Sequence, residues 1–186
     1  MSTVATSGPR WDIAAAGRVC YPEIVLRFGS LFAVVLASAC GRGDAAQAAP
    51  KGLVPAYLAI ATTLAEDRTD GVSALANELQ SSAAALSGKP GIAEVSEASK
   101  KLAAADITET RRVFESVSDG MVEYMRATAD AQAGNVIVFC PMAFDNKGAL
   151  WVQPEGKIAN PYFGASMLRC GNKLAWTDEL PSTAEP

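Results

Sequence analysis

Sulfur-bearing side chains are the first candidates for chemistry in this sequence. Cys140 is followed two residues later by Met142, and Met167 precedes Cys170 by three residues. Thiolate and thioether groups are soft ligands that favour Cu(I), and by extension Ag(I), over zinc or hard cations. If the two short segments fold against each other, their sulfur atoms converge on one point. The sequence therefore predicts a soft-metal site formed by Cys140, Met142, Met167 and Cys170.

The two cysteines also permit a simpler interpretation. They are the only cysteines after Cys40, and a Cys140–Cys170 disulfide would close a loop of about 30 residues and contribute roughly 3–4 kcal/mol in the chain-entropy model. Oxidising compartments favour such a bond. Met142 and Met167 would then be adaptable packing side chains. A reduced pair can bind metal and an oxidised pair cannot, so both interpretations stay open.

The residue types argue against an enzyme. The chain contains no histidine, which excludes His-based triads and His-ligated zinc or haem sites. The carboxylates are scattered over predicted helix surfaces without a paired arrangement. Thiol–disulfide exchange at Cys140 would lack a Cys-x-x-Cys motif and an activating base. We therefore expect a non-catalytic protein with Cu(I) as its one candidate cofactor.

The N-terminal region has the composition of a secretion signal. Arg27 precedes an apolar run at 28–36, which is shorter than the about 20 residues that a transmembrane helix needs. The run ends in Ala37-Ser38-Ala39-Cys40, which resembles the bacterial lipobox with its leucine one position early. We expect a signal peptide at 1–39, whose unusual first residues indicate a mispredicted start, and lipidation at Cys40. Ordinary cleavage near the same point is the alternative.

Export and charge together limit the partners. A lipidated, exported protein lies on the periplasmic face of the cell envelope. The chain carries 20 acidic and 16 basic residues, for a net charge of −4, and has no basic cluster. An acidic surface disfavours nucleic acid and anionic lipid. We therefore expect no nucleic-acid partner and membrane attachment through the lipid anchor alone.

Helical periodicity dominates between a small polar tether at 40–52 and residue 133. Apolar residues recur every three or four positions in four segments. The fourth opens with Asp106-Ile107-Thr108-Glu109, which has the spacing of a capping box, and Gly120 predicts a bend within it. Short connections make sequential helices antiparallel, so the predicted fold is mainly α, an up-down four-helix bundle at 53–133. The predicted helices run from Leu53 to Leu64, Val72 to Leu86, Ile92 to Ala105 and Ile107 to Thr128.

A small cap at 134–175 follows the helices. Val136 to Phe139 is a β-branched and aromatic run that is typical of a strand. A turn at Asp145 to Gly148 and a second run at Ala149 to Gln153 predict a β-hairpin. Beyond Pro154 the cap, which carries Met167 and Cys170, is expected to be irregular. Residues 176–186 are predicted to form a flexible tail.

Several short segments of the cap, and one of the first helix, form a recognisable set of motifs. The segments are Phe139-Cys140-Pro141-Met142-Ala143, Gly148 to Gln153 with Trp151, Ile158 to Gly164 and Met167 to Gly171, together with Tyr57 to Asp67 in the first helix. They resemble a domain-of-unknown-function family, whose members occur as exported proteins and as appendages of periplasmic adaptor subunits of copper and silver efflux systems. The resemblance implies a helical domain, a link to copper handling and a metal-efflux adaptor as partner, and it brings no catalytic residues. The positions that carry over are Cys140, Met142, Asn160, Pro161, Tyr162, Gly164, Met167 and Cys170.

The segment Asn160-Pro161-Tyr162-Phe163-Gly164 is interpreted as a fixed turn. Its proline fixes φ, its glycine permits a positive φ, and its two aromatic residues offer packing surface. We expect this structural motif to act indirectly, by presenting Met167 and Cys170 to Cys140.

Two functions fit these residues. The first is an envelope-anchored protein that binds or hands on Cu(I) or Ag(I) and is linked to heavy-metal efflux. The second is a non-catalytic structural or interaction module, in which a Cys140–Cys170 disulfide supports a surface that docks on an envelope partner. The distance between the two cysteine sulfurs and the placement of the methionines bear directly on this choice.

Overall fold

The structure is a computed structural model that describes residues 51–102 and 106–181. The predicted signal peptide, Cys40 and most of the tether lie outside these residues. Within them the fold is mixed: about half of the residues are helical, and a small three-stranded antiparallel sheet follows the main helices. In the described ranges, no helix combines the length and the apolar character needed to cross a membrane.

Four amphipathic helices open the described chain, and each begins where the sequence predicts. Two begin directly after a glycine with left-handed φ, Gly71 and Gly91. The last begins at Asp106, whose side chain accepts the backbone N–H groups of Thr108 and Glu109, as the predicted cap requires. Their bounds are α1 Leu53–Ala65, α2 Val72–Ala85, α3 Ile92–Ser99 and α4 Ile107–Arg126.

The third helix is shorter than its sequence pattern predicts. It ends at Ser99 and not at Ala105. The backbone N–H groups of Lys101 and Leu102 donate to carbonyl groups three residues earlier, which tightens the chain out of α-helical pairing. The alanine-rich pattern continues through this point and gives no sign of the change.

Gly120 allows a close contact between two helices. The fourth helix runs through it without interruption. A Cβ atom at Gly120 would lie 2.6 Å from the carbonyl oxygen of Gly91 and 2.9 Å from a methyl carbon of Val95. The backbones of α3 and α4 therefore approach here in a way that only glycine permits.

The predicted hairpin is confirmed, and a further strand joins it. The first two strands pair antiparallel, with Val138 opposite Trp151 and Cys140 opposite Ala149. A short third strand pairs with the other side of the first, so the strand order is β2-β1-β3. After α4 the elements are α5 Ala129–Gln132, β1 Asn135–Cys140, a left-handed turn labelled α6 at Ala143–Asn146, β2 Ala149–Pro154, a 3-10 turn at Gly164–Ser166 and β3 Asn172–Leu174.

The helices and the sheet share one hydrophobic core. Trp151 of β2 is fully buried and meets the ring of Tyr162 edge-on at a centroid distance of 5.8 Å. Tyr57 of α1 stacks on Phe114 of α4 at 5.1 Å. The hydroxyl of Tyr57 also accepts the backbone N–H of Val152 at 3.0 Å. The second strand is therefore fixed directly against the first and fourth helices.

Candidate sulfur site

The structure brings the two cysteines together, as either sequence hypothesis requires. Their Sγ atoms are 2.7 Å apart. Cys140 is the last residue of the central strand and is fully buried, whereas Cys170 is partly exposed and lies two residues before β3. Pairing of Phe139 with Asn172 aligns the two chain segments. The third strand, which the sequence did not predict, therefore helps to position the pair.

The distance between the two sulfur atoms lies between the distance in a disulfide and the distance between two thiolates on one metal. The two cysteines are free thiols in the structure. A disulfide requires an Sγ–Sγ distance of about 2.05 Å. Two thiolates on one tetrahedral metal, each about 2.3 Å from it, would be about 3.7 Å apart. A small side-chain movement therefore reaches either state from the observed 2.7 Å.

The Cys170 thiol is held in its neutral form. Burial raises the pKa of Cys170 to about 11, and the hydrogen bond and charge interaction with Cys140 act in the same direction. At neutral pH the side chain is therefore a poor nucleophile. A metal ion that binds here must displace the thiol proton.

Asn160 fixes the loop that carries Cys170. This asparagine is fully buried, and its Nδ2 donates to the carbonyl oxygen of Cys170 at 2.9 Å. Its Oδ1 accepts the backbone N–H groups of Tyr162 at 2.8 Å and Phe163 at 3.2 Å. Its own N–H donates to the carbonyl of Leu168. An amide side chain suits this position because it both donates and accepts.

Arg111 joins the same loop to two helices. Its Nε donates to the carbonyl of Pro161 at 2.8 Å, and one terminal nitrogen donates to the carbonyl of Leu64 at 2.9 Å. The same nitrogen contacts a carboxylate oxygen of Asp67 at 2.7 Å. The other carboxylate oxygen of Asp67 accepts the N–H of Ala165 at 2.9 Å. This Arg111–Asp67 clamp was not singled out from the sequence.

Two structural constraints favour glycine at position 164. Its φ is 57°, which confirms the predicted positive φ. A Cβ atom would also lie 1.9 Å from a carboxylate oxygen of Asp67 and 2.5 Å from a terminal nitrogen of Arg111. The turn therefore sits directly on the clamp. Three residues later the chain reaches Met167.

Met142 and Met167 line a groove that neither cysteine lines. The groove has a volume of about 450 Å³. Met142 is 48% exposed and is the one large hydrophobic side chain that is exposed among residues 51–102 and 106–181. Phe144, Tyr162 and Phe163 add aromatic rings to the lining. We call this groove, which both methionines line, the methionine groove.

An unusual turn forms one wall of the methionine groove. Phe144, Asp145 and Asn146 have φ values of 49°, 60° and 69°. Consecutive non-glycine residues in this left-handed region are uncommon. The turn sets the ring of Phe144 edge-on against Tyr162, with centroids 5.2 Å apart. The sequence predicted a turn here but gave no sign that Phe144 belongs to it.

Conventional metal ligands do not gather in the described part of the chain. It holds no group of three or more His, Cys, Asp or Glu side chains that could bind a metal ion. A metal site with three or more side-chain ligands would therefore have to recruit methionine sulfur or another ligand type.

Comparisons with protein-family models, with curated proteins and with solved structures found no match. The resemblance to the efflux-associated family therefore rests on the cap segments quoted above.

Proposed function

We propose that this chain is a non-catalytic protein of the cell envelope that binds Cu(I) or Ag(I) and hands it on, in connection with heavy-metal efflux. The observation that supports this proposal is the 2.7 Å separation of the Cys140 and Cys170 sulfurs. In the proposal the helices form an up-down bundle that serves as scaffold. A lipid at Cys40 holds the protein at the periplasmic face, and an efflux adaptor is its partner.

The donor set fits a soft monovalent ion. Thiolate sulfur prefers Cu(I) and Ag(I) to hard cations. The sulfur atoms must move apart to flank a metal. The backbone of Cys170 is held by hydrogen bonds, but its side chain is partly exposed and has more room to rotate than that of Cys140, which is fully buried. Binding releases the thiol protons, so affinity rises with pH.

A Cu(I) titration of the full-length, reduced protein against a competing chelator tests the proposal. Every protein compared also carries Cys20→Ser and Cys40→Ser, so that Cys140 and Cys170 supply the only thiols. We expect the Cys140→Ser, Cys170→Ser variant to bind Cu(I) at least about tenfold more weakly, because it lacks both thiolates. Wild-type protein with an oxidised pair is the control, and it should behave like the serine variant. Equal affinity of the reduced wild type and the serine variant would contradict the proposal.

The burial of Cys140 favours a second candidate, the disulfide-stapled interaction module. A fully buried cysteine suits a structural bond, and the two thiols connect the central strand to the segment before β3. The same titration separates the candidates when thiol labelling of the exported protein is added. A pair that is fully oxidised in its native compartment, in a chain whose reduced form binds Cu(I) no better than the serine variant, supports the staple.

A further inference from the structure

We infer that the methionine groove is a second soft-metal site, which binds Cu(I) or Ag(I) through the thioethers of Met142 and Met167 whether the cysteine pair is reduced or oxidised. Only the choice of metal class in this inference rests on the proposed function. It departs from the sequence prediction of a single four-sulfur site, because the groove is lined by both methionines and by neither cysteine.

The methionines of the described chain fall into two environments. Met121 and Met125 are fully buried in the core, where methionine packs as a flexible apolar side chain. Met142 is 48% exposed, and Met167 is partly exposed on the same groove. Packing explains the buried pair and leaves the exposed pair unexplained. A solvent-accessible pair of thioethers is what capture of a soft ion requires.

Thioether sulfur has a chemical advantage in an oxidising compartment. It has no proton to lose, so a metal ion binds it without the pH dependence of a thiol. It is also not consumed when Cys140 and Cys170 form a disulfide. Phe144, Tyr162 and Phe163 line the same groove and make it largely aromatic beside the two thioethers.

The charges around the groove nearly cancel, so a monovalent cation is not excluded from it. Arg111 and Arg112 line it, as does Asp145. The charge of Arg111 is balanced by Asp67, whose carboxylate is 2.7 Å away. Arg112 and Asp145 contribute opposite charges. Thr108, Asp145 and Asn146 add oxygen atoms to the lining, but the two thioethers are soft donors, which prefer a soft ion to a hard one.

The test uses full-length protein that carries Cys20→Ser, Cys40→Ser, Cys140→Ser and Cys170→Ser, so that no thiol contributes. Methionine ε-methyl groups are labelled with carbon-13, and Ag(I) nitrate is added while their NMR signals are followed. We expect the Met142 and Met167 signals to shift together and to saturate, while those of Met121 and Met125 stay in place. Sodium nitrate is the control for the anion.

Leucine substitutions provide the matched comparison, because Leu and Met have similar volumes. Adding Met142→Leu and Met167→Leu should weaken Ag(I) binding at least about tenfold. Adding Met121→Leu, which changes a buried methionine outside the groove, should leave binding unchanged.

Three results would overturn the inference: no shift of the Met142 and Met167 signals, an equal shift of the Met121 and Met125 signals, or a shift that appears only when both thiols are present. The proposed function is tested by the difference in Cu(I) affinity between the reduced wild type and the serine variant. The groove site is tested by Ag(I) binding to the serine variant alone. Each can therefore fail while the other stands.

Discussion

At the scale of single residues, the position of Cys170 depends on contacts that come from distant parts of the chain. Asn160 holds the carbonyl of Cys170 from within the loop. Asp67, at the end of the first helix, holds the N–H of Ala165, and Arg111 of the fourth helix holds the carbonyl of Pro161. Side chains of α1 and α4 thus fix the loop on which the thiol pair is built.

Gly164→Ala should destabilise the protein by about 3 kcal/mol. The left-handed φ of 57° costs an alanine about 1–2 kcal/mol, and its Cβ would displace the Asp67 carboxylate, which lies 1.9 Å from that point. Urea unfolding followed by circular dichroism measures the change. Gly134→Ala is the matched control, since Gly134 has φ +72° and nothing within 4 Å of an added Cβ. If both variants lost equal stability, the clamp would not be what excludes a side chain at Gly164.

Sequence reasoning found some of these residues and missed others for a physical reason. Asn160 and Gly164 belong to a local turn, and the residue preferences of turns can be recognised in a sequence. Arg111 was missed because an arginine on a helix surface is usually solvated. Its partners are the carbonyls of Leu64 and Pro161, which are 47 and 50 residues away. Backbone acceptors at such distances leave no mark on the sequence.

At the scale of elements, the contact between α3 and α4 depends on two glycines. A Cβ at Gly91 would lie 2.0 Å from the carbonyl oxygen of Gly120, and a Cβ at Gly120 would lie 2.6 Å from that of Gly91. Both helices therefore lose packing if either position acquires a side chain. Interhelical distance, and not helix propensity, decides the residue type here.

Gly120→Ala should therefore lower the free energy of unfolding by about 1–3 kcal/mol. On an open helix surface the same change would stabilise by about 1 kcal/mol, so the sign of the effect is informative. Ser81→Ala, at an exposed position of α2, is the control and should stabilise slightly. Urea midpoints of the two variants and the wild type are compared at one pH. A Gly120→Ala protein more stable than wild type would rule out the tight contact.

The elements that sequence predicted are the ones with local signals. The four helix starts and the hairpin follow from periodicity, caps and a turn. The third strand, Asn172–Leu174, is three residues long and has no alternating pattern. It exists because β1 offers a free edge, which is a non-local property. The thiol pair could be predicted as a pair, but the split between thiols and thioethers depends on this unpredicted packing.

At the scale of the whole molecule, a carboxylate is held against an apolar groove where helices and sheet meet. Asp119 lines a cavity of about 430 Å³ together with Val122, Leu150 and Leu180. Burial, together with the nearby charges of Glu115 and Glu94, raises the pKa of Asp119 to about 7. The folded protein therefore carries a protonated aspartate at pH values where the unfolded chain does not.

The contribution of Asp119 to stability should fall as pH rises through this range. Between about pH 4 and pH 7 the folded state retains a proton that the unfolded state releases, and above pH 7 the loss is complete. Asp119→Asn removes the titrating group. We expect it to raise the free energy of unfolding at pH 8 by on the order of 2 kcal/mol and to have little effect near pH 4.

Chemical unfolding of both proteins at about pH 4, 6 and 8 measures this difference. Asp130→Asn, at an exposed position of α5, is the matched control and should shift the stability equally little at each pH. A pH-independent difference between Asp119→Asn and wild type would contradict the assignment.

The hydroxyl of Tyr57 has a consequence for the order in which the molecule assembles. It bonds Ser118 and Val152, which are 61 and 95 residues further along the chain. A buried hydroxyl without partners costs about 1–3 kcal/mol. As the chain emerges during synthesis, its first helix therefore waits for the second strand before its packing is complete. Contacts of such long range slow folding. The packing of the helix that is made first thus depends on a strand that is made about 90 residues later.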